Sequence, residues 1–211
     1  MRKINLLFLI LILSSNLKSQ DLVRIKHTNY TTTFSKSLKY PVIVEWWDTR
    51  KKVGCDNPLP RKDQFAPDPM LPEETDIAKD YVRSGTDRGH MCPAADNECM
   101  GDKVLSECFY FSNMAPQYHS LNAGDWKSLE TLTRTFTLKY DSIRVWAGSI
   151  GVAKKIGSVS VPKQCWKVIY IKRTGEYMAY IFDNNTNKPE GLHAHEIDIA
   201  DLTEIIGYRF K

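Results

Sequence analysis

One stretch of helical periodicity, with strand-like runs on both sides of it, most constrains how this chain can fold. Its stripe consists of apolar side chains spaced three and four residues apart: Trp126, Leu129, Leu132 and Phe136. This spacing predicts one amphipathic helix over residues 121–138. A long helix near the centre of a chain that is otherwise rich in strand patterns predicts an α+β fold rather than alternating βα units.

Strand patterns surround the helix. Runs of β-branched, aromatic and alternating residues predict strands at 41–47, 80–83, 109–114, 142–147, 166–172 and 176–182. A Thr174-Gly175 turn between the last two indicates an antiparallel hairpin, and Asp198 or Asp201 can cap a short helix that ends at Gly207. We expect a mostly antiparallel sheet core in a single domain over residues 20–211.

The N-terminus resembles a targeting segment. Two basic residues, Arg2 and Lys3, precede an apolar run over 4–13 and a polar stretch that ends at Ser19. This order predicts a signal peptide over residues 1–19, with a secreted or periplasmic protein after cleavage. A retained membrane anchor is the alternative, but the run is shorter than the roughly 20 residues that a span needs. We therefore expect no stable membrane association after cleavage.

Charge limits the kind of partner. Removal of Arg2, Lys3 and Lys18 would leave 26 basic and 25 acidic residues, so the net charge falls from +4 to +1. A protein of this charge is not basic overall. If it binds nucleic acid, its positive potential must be concentrated in a cleft.

Five cysteines lie in the part that follows the leader: Cys55, Cys92, Cys99, Cys108 and Cys165. Export to an oxidising compartment makes disulfides plausible, and the odd number leaves at least one thiol without an intramolecular partner. Two of the three cysteines Cys92, Cys99 and Cys108 are candidates for a disulfide close to His90. The connectivity stays open.

Candidate chemistry begins in the run of residues 86–97. Arg88 offers a planar fork of donors that suits a phosphate group, and His90 can take up a proton near neutral pH. Gly89 between them lets the backbone approach a ligand closely. Alone, these three residues carry little specificity.

The predicted helix offers oxygen ligands for a hard cation. Asn122 lies at its start, and Glu130 and Arg134 line one edge of the apolar stripe. Asn122 and Glu130 would be about 12 Å apart along one continuous helix axis. A long glutamate side chain that tilts toward the helix start shortens this gap, and a hydrated Mg²⁺ ion can bridge the remainder, because Mg²⁺ keeps several waters and takes few protein oxygens.

Three motifs in order resemble the DNA/RNA non-specific endonuclease family, which includes mitochondrial endonuclease G and secreted bacterial nucleases. They are Asp87-Arg88-Gly89-His90, Ser112-Asn113-Met114-Ala115-Pro116-Gln117 and Leu121-Asn122-Ala123-Gly124-Asp125-Trp126 with Leu129-Glu130. The resemblance covers roughly residues 40–210. It implies a ββα-metal, or His-Me finger, active site that hydrolyses DNA and RNA without sequence specificity and leaves 5′-phosphate ends.

The resemblance also implies a role for each matching residue. His90 is similar to the general base, Asn122 to the only direct protein ligand of one Mg²⁺, and Glu130 to the acidic residue that positions water on the metal. Asn113 resembles a residue beside the histidine that shapes the catalytic pocket. The phosphate contacts of the family correspond to Arg61, Arg88 and Arg134. Mn²⁺ or another divalent cation can take the place of Mg²⁺.

Two alternatives stay open at the level of sequence. His90, Cys92, Cys99 and Cys108 could form a structural zinc site in an extracellular binding module, although their spacing matches no common zinc finger. An inactive relative that only binds nucleic acid is the other alternative. His193 and His195 resemble a metal pair on one strand face, but they lie outside the three motifs and read more simply as surface histidines.

Overall fold

An antiparallel sheet of seven strands organises residues 21–211, the part of the chain that the computed structural model describes. In chain order the strands are β1 Leu22–Lys26, β2 Tyr30–Ser35, β3 Tyr40–Thr49, β4 Asp87–His90, β5 Met114–Gln117, β6 Ser142–Ile150, β7 Lys154–Ile156, β8 Val159–Val161, β9 Gln164–Ile171, β10 Glu176–Asp183 and β11 Glu196–Ile197. The large sheet has the order β1-β2-β3-β6-β9-β10-β11, while β4 pairs with β5 and β7 with β8. All these pairings are antiparallel, which confirms the predicted α+β class.

Helices cover the two faces of the sheet. They are α1 Arg50–Val53, α2 Pro72–Thr75, α3 Asp102–Glu107, α4 His119–Asn122, α5 Asp125–Tyr140 and α6 Ile199–Ile206. Trp126 and Leu129 of α5 share one hydrophobic core with Val145 and Ile169 of the sheet. Fully burying such side chains stabilises the fold by roughly 1.5–3 kcal/mol each. No helix within residues 21–211 is long and apolar enough to cross a membrane.

The opposite face of the sheet has its own core. Leu202 of α6 packs there with Trp146 of β6 and Trp166 of β9. Successive strand residues point to opposite faces, so these tryptophans face away from the core that holds α5. The large sheet therefore separates the α5 layer, where the candidate site lies, from the α6 layer.

The predicted central helix is divided in two, and the expectation of one continuous helix from 121 to 138 was wrong. α4 ends at Asn122, and α5 begins at Asp125 after Gly124, whose φ of −97° and ψ of −115° are not helical. A side chain at Gly124 would place its Cβ 2.2 Å from the carbonyl oxygen of Ser120. This tight bend turns Asn122 out of the α5 axis, so the spacing calculated along one helix does not apply.

Two predicted strands also differ. Residues 80–83 are not a strand: a 3₁₀ helix occupies Ala78–Tyr81, and Arg83 has a φ of +54°. Residues 109–114 contain a 3₁₀ turn at Phe111–Asn113, and strand β5 starts only at Met114. The backbone of Ala66 accounts for this, because it exchanges hydrogen bonds with residues 109 and 111 and so replaces a regular strand partner.

One disulfide is present, between Cys55 and Cys99. The predicted disulfide between two cysteines near residue 90 was therefore wrong, because the partner of Cys99 is Cys55, 44 residues earlier in the chain. Cys92, Cys108 and Cys165 are buried free thiols. The predicted leader over residues 1–19 lies outside the described part of the chain.

Candidate active site

The β4–β5 ribbon presents the histidine and arginine of the first motif. His90 pairs with Met114 and Arg88 with Pro116 across the ribbon. Side chains alternate along a strand, so Arg88 and His90 share one face while Asp87 faces the other way. Together with α4 and α5, which follow the ribbon in the chain, this gives the ββα arrangement that the motifs predict.

Gly89 is required by close packing. An added Cβ at this position would lie 2.0 Å from Oε1 of Gln117, whose side chain is fully buried against the ribbon. Any larger residue would push the two strands apart. The glycine thus sets the spacing that holds Arg88 and His90 in place.

His90 lies in an aromatic pocket and is only 8% exposed. Its ring meets Phe109 edge-on at 5.0 Å and Phe65 at 5.8 Å between centroids. Burial lowers the pKa of His90 to about 3, and the positive charge of Arg61 adds to this effect. The ring is therefore neutral at pH 7, and its Nε2 is a buried polar atom without a hydrogen-bond partner in residues 21–211.

Asn113 fixes the backbone that follows the histidine. Its Oδ1 accepts from the amide of Cys92 at 2.9 Å, and its Nδ2 donates to the carbonyls of Cys92 and Cys108 at 2.8 Å. Both ends of the amide are thus engaged by main chain. The structure places Asn113 as a support for the loop after β4, with no hydrogen bond to the His90 ring.

Two arginines flank the same aromatic group. The guanidinium of Arg88 lies 5.0 Å from the ring centre of Phe65 and 5.6 Å from that of Tyr81, and its Nε is buried without a partner in the described chain. Arg61 is exposed, lies 5.7 Å from the ring of Phe109, and bonds Asp63 at 2.8 Å. The aromatic faces therefore hold two cations beside His90.

Asn122 has a defined orientation. Its Nδ2 donates to Oδ2 of Asp87 at 2.9 Å, and Nδ1 of His119 lies 2.8 Å from the same oxygen. With the amide nitrogen held in this way, the amide oxygen points away from Asp87. An amide oxygen of fixed direction fits a hard divalent cation, and Mg²⁺ needs few such ligands from protein.

Glu130 belongs to the same region but is partnered differently. Its side chain is 15% exposed, and its Oε1 lies 3.8 Å from Nζ of Lys167. Burial raises the pKa of Glu130, while the positive charges of Lys167, Arg134 and Arg61 oppose the rise. The positive charge of Arg61 also lowers the pKa of His90.

Arg134 is held by a buried carboxylate. Its Nη1 lies 3.2 Å from Oδ1 of Asp96, which is 1% exposed. Asp96 in turn faces Asp48, whose pKa is raised by burial and then by the charge of Asp96. The predicted phosphate-binding residue thus has a structural partner as well as a partly exposed head group.

The zinc alternative is not supported by the geometry. Cys99 is in the disulfide with Cys55, which removes one of its four proposed ligands. Within residues 21–211 no group of three or more His, Cys, Asp or Glu side chains could hold a metal ion. His193 and His195 lie on a 3₁₀ turn rather than a strand, and they contact Glu196 and Asp125.

Three polar residues of this region had no assigned role in the sequence. Asp87 lies in the first motif, which assigns it no role, and neither His119 nor Lys167 belongs to any of the three motifs. The sequence does mark Lys167 as unusual, because it is a single charged residue within the apolar strand run Cys165-Trp166-Lys167-Val168-Ile169. The partnership of Asp87 with Asn122 spans 35 residues and carries no local signal.

Known proteins are similar to this chain in sequence and in fold. Mitochondrial nuclease EXOG is 34% identical in Danio rerio over 207 residues and 32% identical in Homo sapiens over 208, in each case across 87% of this chain. The chain spans only 59% and 55% of the length of these two relatives. A crystal structure of the EndoG/EndoGI complex superposes with a TM-score of 0.79 and 25% identity, covering 89% of this chain and 84% of the other.

The names of the relatives contradict the predicted localisation. The EXOG proteins and the nucleases of Schizosaccharomyces pombe and Saccharomyces cerevisiae are named mitochondrial, which points to mitochondria rather than secretion. The prediction was wrong because a basic leader that lacks acidic residues is common to both kinds of targeting segment. A match to one family extends over residues 11–211, so the chain belongs to the DNA/RNA non-specific endonuclease family.

Proposed function

We propose that this protein is a divalent-metal-dependent endonuclease that hydrolyses phosphodiester bonds of DNA and RNA without sequence specificity. The observation that carries the proposal is the buried Nε2 of His90, which has no hydrogen-bond partner within residues 21–211, beside two arginines on aromatic faces. Family membership and the relatives named as nucleases support it. The products we propose carry 5′-phosphate ends, and the metal we propose is Mg²⁺.

His90 acts as general base in this proposal. A neutral imidazole can accept a proton from the attacking water, and Phe65 and Phe109 hold the ring in place. Its pKa of about 3 belongs to the protein without substrate. A bound phosphate brings negative charge close to the ring and raises the pKa toward neutrality, where a general base works best.

The arginines bind and stabilise the phosphate. Arg88 presents its guanidinium from between two aromatic rings, which limits its motion and leaves its donors for a ligand. Arg61 adds a second positive charge from the loop before β4, and Arg134 a third from α5. Contacts of this kind read phosphate and sugar rather than base edges, so they give no sequence specificity.

Asn122 would hold the metal through its amide oxygen, with Glu130 contributing negative charge nearby. When bound, Mg²⁺ supplies positive charge that stabilises the phosphate oxygens as charge builds up in the transition state. Asp87 holds the Asn122 amide nitrogen, so that the amide oxygen points away from Asp87. Asn113 contributes by fixing the loop after His90 rather than by contact with substrate.

Cleavage of plasmid DNA and of a structured RNA with Mg²⁺, with and without EDTA, tests the proposal. We expect His90→Ala to lower the rate by about 10²-fold or more, since general bases typically contribute 10²–10⁴-fold. His193→Ala is the matched control, because that histidine is exposed and pairs with Glu196. Full activity of His90→Ala, or cleavage that persists in EDTA, would contradict the mechanism.

A further inference from the structure

A fully buried lysine lies behind the candidate active site. Lys167 is on β9, where alternation places it with Cys165 and Ile169 on the side of the sheet that faces α5. Its side chain is almost entirely removed from solvent. Removing an ammonium group from water is costly unless other charges or rings compensate, so the position of this lysine requires a physical reason.

The ammonium of Lys167 is directed at two residues of α5. Its Nζ lies 4.2 Å from the ring centre of Trp126 and 3.8 Å from Oε1 of Glu130. Nζ has no hydrogen-bond partner in the part of the chain that the structure describes. Trp126 and Glu130 are four residues apart and lie on the same side of the helix, so one cation contacts both.

Trp126 connects this lysine with the histidine. Its Nε1 donates to the backbone carbonyl of His90 at 3.1 Å, while its ring face receives the ammonium of Lys167. The indole therefore fixes where the lysine head group lies relative to β4. Lys167, Trp126 and Glu130 form a packed unit beneath the ribbon that bears the general base.

The charges around Glu130 and Lys167 indicate that each residue affects the protonation of the other. Burial raises the pKa of Glu130, and the positive charge of Lys167 opposes this rise most strongly. Asp96 acts in the same direction as burial, while Arg134 and Arg61 oppose it less than Lys167 does. Burial lowers the pKa of Lys167, and the carboxylates of Glu130 and Asp96 oppose that change. Each group thus favours the charged form of the other.

We propose that Lys167 is a positioning residue of the active site, which holds Glu130 as an oriented carboxylate without itself contacting substrate. The inference rests on the proposed nuclease function. Because the lysine side chain is only 1% exposed, it does not reach substrate, so its loss should affect turnover and leave substrate binding intact.

Lys167→Met tests this role, because methionine keeps much of the length and apolar contact of the side chain and removes its charge. We expect kcat to fall about 10–100-fold, as is typical when a residue that orients a catalytic group is lost, with KM within about 2-fold. The acid limb of the kcat profile should move to higher pH, because Glu130 without Lys167 loses its proton less readily. Lys172→Met, at an exposed position just after β9, is the matched control. It should leave kcat, KM and the pH profile of kcat unchanged.

A double-mutant cycle with Glu130→Gln separates positioning from general damage. If Lys167 acts through Glu130, the double variant is no slower than Glu130→Gln alone, because coupled residues are not additive. If the loss of rate in the double variant equals the product of the losses in the two single variants, the residues act independently and the inference is overturned. The nuclease proposal fails separately, if the unmodified protein does not cleave or if His90→Ala retains full activity.

A spectroscopic measurement on the intact lysine keeps the inference testable even if Lys167→Met does not fold. A buried ammonium exchanges protons slowly with water, so its ¹H–¹⁵N resonance is observable near neutral pH. Glu130→Gln should move that resonance, while Glu204→Gln, at an exposed site on α6, should not. An unmoved resonance in Glu130→Gln would show that the two side chains do not interact.

Discussion

Asp87 accepts a hydrogen bond from the side-chain amide of Asn122 at 2.9 Å, across 35 residues of sequence. The aspartate comes from β4 and the asparagine from α4, so this contact joins the strand that carries His90 to the helix end that would hold the metal. The hydrogen bond holds the amide nitrogen of Asn122 against Asp87 and so leaves the amide oxygen for the site. The position of the candidate cation ligand therefore depends on the same motif that supplies the base.

Asp87→Ala should weaken the binding of the metal ion. Without Asp87 the Asn122 amide can rotate, and residues that orient a metal ligand typically contribute 10–100-fold in affinity or activity. The Mg²⁺ concentration for half-maximal cleavage should rise by about that factor. Asp201→Ala on α6 is the control, and equal Mg²⁺ dependence of the two variants would contradict the role of Asp87.

Gly89→Ala should destabilise the β4–β5 ribbon. The added Cβ would overlap Oε1 of Gln117, and overpacking of this kind typically costs about 1–3 kcal/mol. Urea unfolding measures the change. The double variant Gly89→Ala/Gln117→Ala removes the overlapping atoms and should recover part of the loss; no recovery would indicate that the strain arises elsewhere.

Acid should destabilise the protein in part through His90. The pKa of His90 is about 3 in the folded protein and 6.5 as the ordinary value, so between these pH values the unfolded chain binds a proton that the folded protein does not. The associated stability is fully present above pH 6.5 and is lost as the pH falls toward 3, at about 1.4 kcal/mol per pH unit.

Free energies of unfolding measured between pH 4 and 6 check this expectation. His90→Gln should show a shallower slope with pH than the unmodified protein, whatever its absolute stability. His193→Gln removes an exposed histidine and should retain the original slope. Equal slopes for His90→Gln and the unmodified protein would mean that His90 is not buried in its neutral form.

Arg134→Met should lower stability as well as activity. The substitution leaves Asp96 buried without its cation, and breaking buried pairs costs about 3–5 kcal/mol, so the partly exposed Arg134 should account for roughly 2–3 kcal/mol. Adding Asp96→Asn should restore stability without restoring cleavage. If the double variant is fully active, Arg134 serves only the fold and not the phosphate.

Local patterns were sufficient for the large elements. Period-two runs identified β3, β6, β9 and β10, and apolar spacing identified α5, because each element must bury one face and that demand appears directly in the sequence. They failed at Gly124, whose non-helical backbone interrupts the helix, at residues 80–83, where a 3₁₀ helix ends, and at residues 109–113, where Ala66 supplies the hydrogen bonds. The last failure arises from a contact between distant residues that no local pattern encodes.

The sequence by itself determined the fold class, the family and the residue types of the candidate site, since motif order and periodicity are properties of a linear chain. Only the tertiary structure decided their partners: Asp87 for Asn122, Asp96 for Arg134, and Lys167 for Glu130. These pairs join elements 35 or more residues apart. Their energies depend on burial and on distances of about 3–4 Å between charged or polar atoms, which exist only once the sheet and α5 have packed together.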